Sequence, residues 1–185
     1  PLNYKTINLP LSKVDARSLE AGEACLLNGA MYTLRDAGHI RLLGELDKSG
    51  MLPYGLSGQV IFYAGPTPSA AGRPFGAIGP TTASRMDFAA PELYKRGLTA
   101  TIGKGTRSEE VRQACIEYSS VYFVATGGAA AFLAKHIDSC ETLAYDDLGT
   151  EALREITVHD FPVFVGIDTK GNSIYSLDNE ETSEQ

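Results

Sequence analysis

A block of breakers between residues 65 and 80 (Gly65, Pro66, Pro68, Gly72, Pro74, Gly76, Gly79 and Pro80) divides the chain, because no long helix or central strand passes through such a density of glycine and proline. The block reads as an exposed loop closing on a tight, backbone-controlled turn. Residues 75–78 read as the end of a buried strand and residues 86–94 carry apolar side chains at helical spacing, so the polar run between them is a strand-to-helix connection. That run, Gly79-Pro80-Thr81-Thr82-Ala83-Ser84-Arg85-Met86-Asp87, holds three hydroxyls, one guanidinium and one carboxylate. An anion there would meet free backbone N–H groups, the positive end of a helix dipole and an arginine fork suited to a carboxylate.

Before the block, residues 4–9, 23–28 and 59–64 carry the short alternating or compact apolar runs of strands. Residues 34–48 place Leu34, Ile40, Leu42, Leu43 and Leu46 among charges, an amphipathic helix with Thr33 as its cap. After the block, strand and helix alternate: strand 98–102, helix 108–118 capped by Ser108, strand 121–125 and a small-residue helix at 129–136. Short strands follow at 141–145, 155–158 and 162–167, then a hairpin turn over 168–172 before 173–176. The pattern predicts a mixed, layered α/β domain with a partly parallel central sheet over residues 1–177, followed by an acidic, frayed tail at 178–185.

With 185 residues, 43% of them hydrophobic, the chain can bury one substantial core. It has no run near the roughly 18 to 20 apolar residues of a membrane span, and its start lacks a signal-peptide pattern. The expectation is a soluble, cytoplasmic protein. A net charge of −7 argues against nucleic acid or an anionic membrane as partner. Cys25, Cys115 and Cys140 are far apart and form no C-x-x-C pair, so they read as reduced, buried thiols, and His39, His136 and His159 show no metal spacing. No metal ligand is assigned to this chain.

Four polar clusters fall at the ends of expected strands, where ligands collect in open α/β sheets. They are Thr33-Leu34-Arg35-Asp36 with His39 one turn on, the Thr81–Asp87 run, Gly103-Lys104-Gly105 and Thr126-Gly127-Gly128. Two arginines and a lysine at such positions suit a small dianion, with bidentate and point-charge contacts and the Thr81 and Thr82 hydroxyls nearby. Plain readings stand beside these: Arg35 and Asp36 as capping and surface charge, Gly127 and Gly128 as close-packing glycines, Asp87 as a lock for Arg85 or a helix cap, and His39 as a packing residue. Threonine is a poor base unless activated. From the residues alone the conclusion is a small-anion site.

Together, Tyr32-Thr33-Leu34-Arg35-Asp36-Ala37-Gly38-His39, the 79–87 run, Ile102-Gly103-Lys104-Gly105 and Thr126-Gly127-Gly128-Ala129-Ala130-Ala131 resemble the β subunit, or carboxy-terminal domain, of class I fumarase and L-tartrate dehydratase. The resemblance covers residues 3–175. It implies a swivelling β/β/α fold and an oxygen-sensitive iron-sulfur hydro-lyase. Arg35, Arg85 and Lys104, with Thr82, would bind substrate carboxylates, Thr81 would be the base, and Asp36, His39, Asp87, Gly127 and Gly128 would support them. The resemblance further implies a [4Fe-4S] cluster held by three cysteines of a partner α subunit, with one iron open to act as a Lewis acid. The substrate would be a small dicarboxylate, malate or tartrate, and the assembly a homodimer or α2β2. Ser84 and Gly38 depart from the family's common Gly and Ala, away from the charged positions.

Overall fold

The computed structural model describes residues 3–69, 71–125 and 130–175. Among these, strands β1 (Lys5–Asn8), β2 (Ala24–Thr33), β3 (Val60–Phe62), β4 (Ala100–Gly103), β5 (Val121–Val124), β6 (Ile137–Ala144) and β7 (Leu153–Ile167) form one sheet in the order β1-β2-β3-β4-β5-β7-β6. Strands β1 to β5 are parallel to their neighbours, whereas β7 runs antiparallel to β5, β6 and β2. Because β7 bonds both β5 and β2, the strands β2, β3, β4, β5 and β7 close into a barrel-like circuit. The expected mixed α/β sheet is therefore present, curled on itself.

Closure gives the sheet an inner and an outer surface, and the period-two alternation of the strands feeds both. Val60, Phe62, Ile102, Phe123, Phe161 and Val163 fill the interior. Their neighbours Ile61, Tyr63, Tyr122 and Val124 point outward into a second core, covered by α2 (Asp36–Ser49), α3 (Ala90–Lys95) and α4 (Glu109–Tyr118) through Leu42, Leu46, Leu93, Tyr94, Val111 and Cys115. The short helices α1 (Lys13–Ala16) and α5 (Ala130–Ala134) close the inner core with Ala16 and Leu133. Ser108 caps α4, accepting from the Val111 N–H at 3.3 Å, as its sequence position predicts.

Several expected elements differ. The strands expected at 155–158 and 162–167 are one strand, β7, because the break at His159 and Asp160 is a bulge: Asp160 sits at φ 44° and donates its N–H to Asn28 Oδ1 at 2.9 Å. Beside it, Gly29, paired with Val158, takes φ 123°. The strand expected at 75–78 is irregular backbone. The helix expected over 86–94 splits into a 3₁₀ turn, Ala83–Met86, and α3, which begins at Ala90 with Pro91 in its first turn. Thr33 is the last residue of β2, and the position flanking α2 is Arg35, which makes no side-chain cap. The strand expected at 173–176 is represented by a single bridge, Ile167 to Ser173, and residues 176–185 lie outside the described residues. No helix among the described residues is long and apolar enough to cross a membrane.

Candidate functional site

Thr33, Phe62, Ile102 and Phe123 lie side by side across four parallel strands. The candidate residues sit just past this row at the carboxyl ends of the strands, the edge where open parallel sheets present ligand groups. Arg35 follows β2, Lys104 follows β4, and Thr81 reaches the end of β3 by hydrogen bonds. Strand order thus assembles groups that are far apart in sequence.

At the β2–α2 junction, contacts from the segment before β7 fix the helix start. Glu151 Oε1 accepts the Ala37 N–H at 3.0 Å, Arg41 forms two bonds to Asp147 at 2.6 and 2.8 Å, and the Tyr145 hydroxyl donates to Glu45 at 2.6 Å. Gly38 permits this approach, since a side chain there would overlap Leu34 and the Glu151 carbonyl. His39 is fully buried, its Nδ1 2.9 Å from the Arg35 carbonyl and its ring edge-on to Tyr63 at 5.3 Å. Burial lowers its pKa to about 4, so the imidazole is neutral at physiological pH. Four buried polar atoms here have no partner within the chain: Thr33 Oγ1, Arg35 Nε, Asp36 Oδ1 and His39 Nε2. A buried polar atom left unpaired costs roughly 1–3 kcal/mol, and four of them share this junction.

The 81–87 run forms the facing wall. Thr81 is tied to the Tyr63 carbonyl twice, by its N–H at 2.8 Å and its hydroxyl at 2.9 Å. Thr82 bridges Lys104 as a short parallel extension of β4, with Ala83 N–H to Lys104 O at 2.9 Å and Lys104 N–H to Thr81 O at 3.2 Å. These bonds occupy the Thr81 and Ala83 N–H groups, two of those expected to face an anion. With only a 3₁₀ turn following, no α-helix dipole points at Thr81 either, so side chains supply the positive charge. Arg85 donates to Asp36 at 2.7 Å across the two walls while its side chain stays 53% exposed. Lys104 and Thr82 are exposed as well.

Asp87 neither locks Arg85 nor starts the helix that follows it. Its carboxylate accepts from Arg107 Nε at 2.6 Å and from the Ser108 N–H at 2.7 Å, at the start of α4. Arg107 is absent from the sequence reading, although it stands in the same kind of strand-to-helix loop as Lys104, three residues further on. Its fully buried side chain also donates to Thr101 Oγ1 and the Tyr63 hydroxyl, each at 3.1 Å, and lies against the rings of Tyr63 and Tyr122. Burial pulls its pKa down, but Tyr63, Tyr94 and Asp87 outweigh burial and hold it above the ordinary arginine value. Thr126, Gly127 and Gly128 lie outside the described residues.

The thiols do not fit an iron-sulfur cluster. Cys25 is buried in the inner core and Cys115 in the outer one, on opposite surfaces of the sheet, and burial pushes their pKa values up to about 11 and about 12, against the thiolate form that ligates iron. Among the described residues no group of three or more His, Cys, Asp or Glu is placed to hold a metal ion.

Residues 3–177 match the family described as Fumarase C-terminus. The chain is 38% identical over 171 residues to fumarate hydratase 2 of Leishmania major, across 90% of this chain and 30% of that protein. It is 39% identical over 151 residues to the aerobic class I fumarate hydratase of Escherichia coli K12, across 80% of this chain and 28% of that protein. Against a putative L(+)-tartrate dehydratase subunit beta of Methanocaldococcus jannaschii it is 35% identical over 181 residues, across 95% of this chain and 93% of that one. The chain thus spans less than a third of the length of these two fumarate hydratases and nearly all of the subunit.

Proposed function

The chain belongs to the Fumarase C-terminus family, and from that membership we propose that it is the β subunit of a cytoplasmic iron-sulfur hydro-lyase that reversibly dehydrates (S)-malate to fumarate. The observation that carries this reading is the meeting of Arg35, Arg85 and Lys104 at one sheet edge, beside buried polar atoms that lack partners. Residues 1–177 act as one catalytic domain. Its two cores, one inside the sheet and one beneath the helices, support the layered, swivelling β/β/α description.

Arg85 gives one nitrogen to Asp36 and offers the rest of its fork to a substrate carboxylate, with the Arg35 guanidinium and the Lys104 ammonium as further cations and Thr82 alongside. These cations stabilise the negative charge that builds on the carboxylate as the adjacent C–H bond breaks. Thr81 is the base of this reading: its hydroxyl, oriented by donation to the Tyr63 carbonyl, first loses its own proton to solvent and then, as the alkoxide, takes the proton from carbon. A neutral hydroxyl is a weak base, and the cationic surroundings lower the cost of oxyanion character on it. A [4Fe-4S] cluster held by the partner α subunit would supply Lewis-acid chemistry, and no group among the described residues of this chain is placed to hold it.

A second reading, L-tartrate dehydration to oxaloacetate, is favoured by the near full-length correspondence with a tartrate dehydratase subunit beta. Anaerobic co-expression with the cluster-bearing partner, followed by paired assays with malate and L-tartrate, separates the two. Silence toward both substrates would overturn the hydro-lyase reading. The chain alone is expected to be inactive.

A further inference from the structure

Arg107 is a buried charge, and such groups are costly to desolvate unless fully partnered. Its partners are distributed in a telling way. Asp87, the last residue of the Thr81–Asp87 run, receives Arg107 on one carboxylate oxygen and the Ser108 N–H on the other. Tyr63 receives Arg107 on its hydroxyl, while its backbone carbonyl holds both the N–H and the hydroxyl of Thr81. The run is therefore clamped at both ends by residues that meet on one guanidinium, and Arg85 lies between the clamps. The same Tyr63 ring meets His39, whose Nδ1 lies against the Arg35 carbonyl, so the hub touches the opposite wall too. Thr101, the third acceptor of Arg107, lies in β4 next to Ile102 and is shared with the Tyr94 hydroxyl at 2.5 Å, which anchors the hub to the sheet and to α3.

We propose that Arg107 is a positioning residue, acting through Asp87 and Tyr63 to set the placement of Thr81 and Arg85 without touching the substrate; its effect on turnover rests on the dicarboxylate reading of that wall. A planar fork with three acceptors and two flanking rings cannot be reproduced by a lysine ammonium, so the conservative replacement tests geometry at constant charge.

The experiment is Arg107→Lys in the complete enzyme with its partner, with kcat and KM for malate measured separately and amide exchange followed in peptides covering residues 79–87 and β5. Arg107→Lys is expected to lower kcat by about tenfold to hundredfold with KM within about threefold, since misplacement of a reacting group acts on the chemical step. Exchange over 79–87 should accelerate by about tenfold while β5 is unchanged. Tyr63→Phe, which removes only the hydroxyl acceptor, should move both quantities the same way by less, and it stands in if Arg107→Lys does not assemble. Wild-type kcat and wild-type exchange in the variant would overturn the proposal, as would faster exchange spread equally over 79–87 and β5. If the wild-type enzyme is silent toward both malate and L-tartrate, the dicarboxylate reading fails, and faster exchange confined to 79–87 still upholds the clamp.

Discussion

Two polar clusters flank Tyr63 and are built on opposite terms. Around Arg107 each nitrogen has an acceptor: Asp87, Thr101 and the Tyr63 hydroxyl. Around Arg35, four buried atoms within seven residues have none. A satisfied network in a low-dielectric interior holds one arrangement firmly, whereas unpaired buried atoms carry a standing cost. The first cluster is framework and the second, on the proposed function, is receptor; both touch the Tyr63 side chain.

Removing the framework charge should have the largest effect. Arg107→Met leaves Asp87 without its counter-ion, and chemical denaturation should show a loss of roughly 3–5 kcal/mol. A loss below about 1 kcal/mol would place Arg107 with the exposed pairs. On the receptor side the balance inverts. Arg85→Ala in the complete enzyme should cut turnover by about 10²–10³-fold, while its half-exposed pair with Asp36 contributes only about 0–1 kcal/mol to folding. Near-normal turnover would end the assignment of Arg85 to the substrate.

His39 lies between the clusters and carries a pH signature. Its folded pKa of about 4 is below the ordinary 6.5, so the unfolded state binds the proton first as pH falls. The stability tied to its neutral form is complete above about pH 6.5 and is lost as pH drops toward 4, a change on the order of 3 kcal/mol. His39→Gln should flatten that part of the denaturation profile; an unchanged slope would assign it to other groups. The smallest effect is expected at Thr33, whose buried hydroxyl has no partner in the chain. Thr33→Val should leave stability unchanged or raise it by about 1 kcal/mol. A clear loss in the same denaturation assay would show that the hydroxyl is satisfied, and would weaken the contrast between the clusters.

Much of the fold was legible because period-two runs and capping residues act locally. Ser108 caps α4 where its spacing placed it, and the apolar runs at 59–64 and 121–125 became β3 and β5. The long β7 was not legible as one strand: the apolar runs at 155–158 and 162–167 are separated by the polar His159 and Asp160, and only Asn28 on the neighbouring strand makes that interruption a bulge. Barrel-like closure was hidden for the same reason, since the pairing of β7 with both β2 and β5 is a property of the assembled sheet.

At the candidate site the sequence determined which chemistries were available and that they fell at strand ends: Arg35, Thr81, Arg85 and Lys104 all lie at the sheet edge its pattern implied. Tertiary structure alone decided who pairs with whom. Arg85 meets Asp36 from across the wall, while Asp87, only two residues from Arg85, turns instead to Arg107. Spacing along the chain bounds which groups can be neighbours within one element. Pairing between elements follows from strand order and register, and from the demand that a buried guanidinium find every acceptor it can.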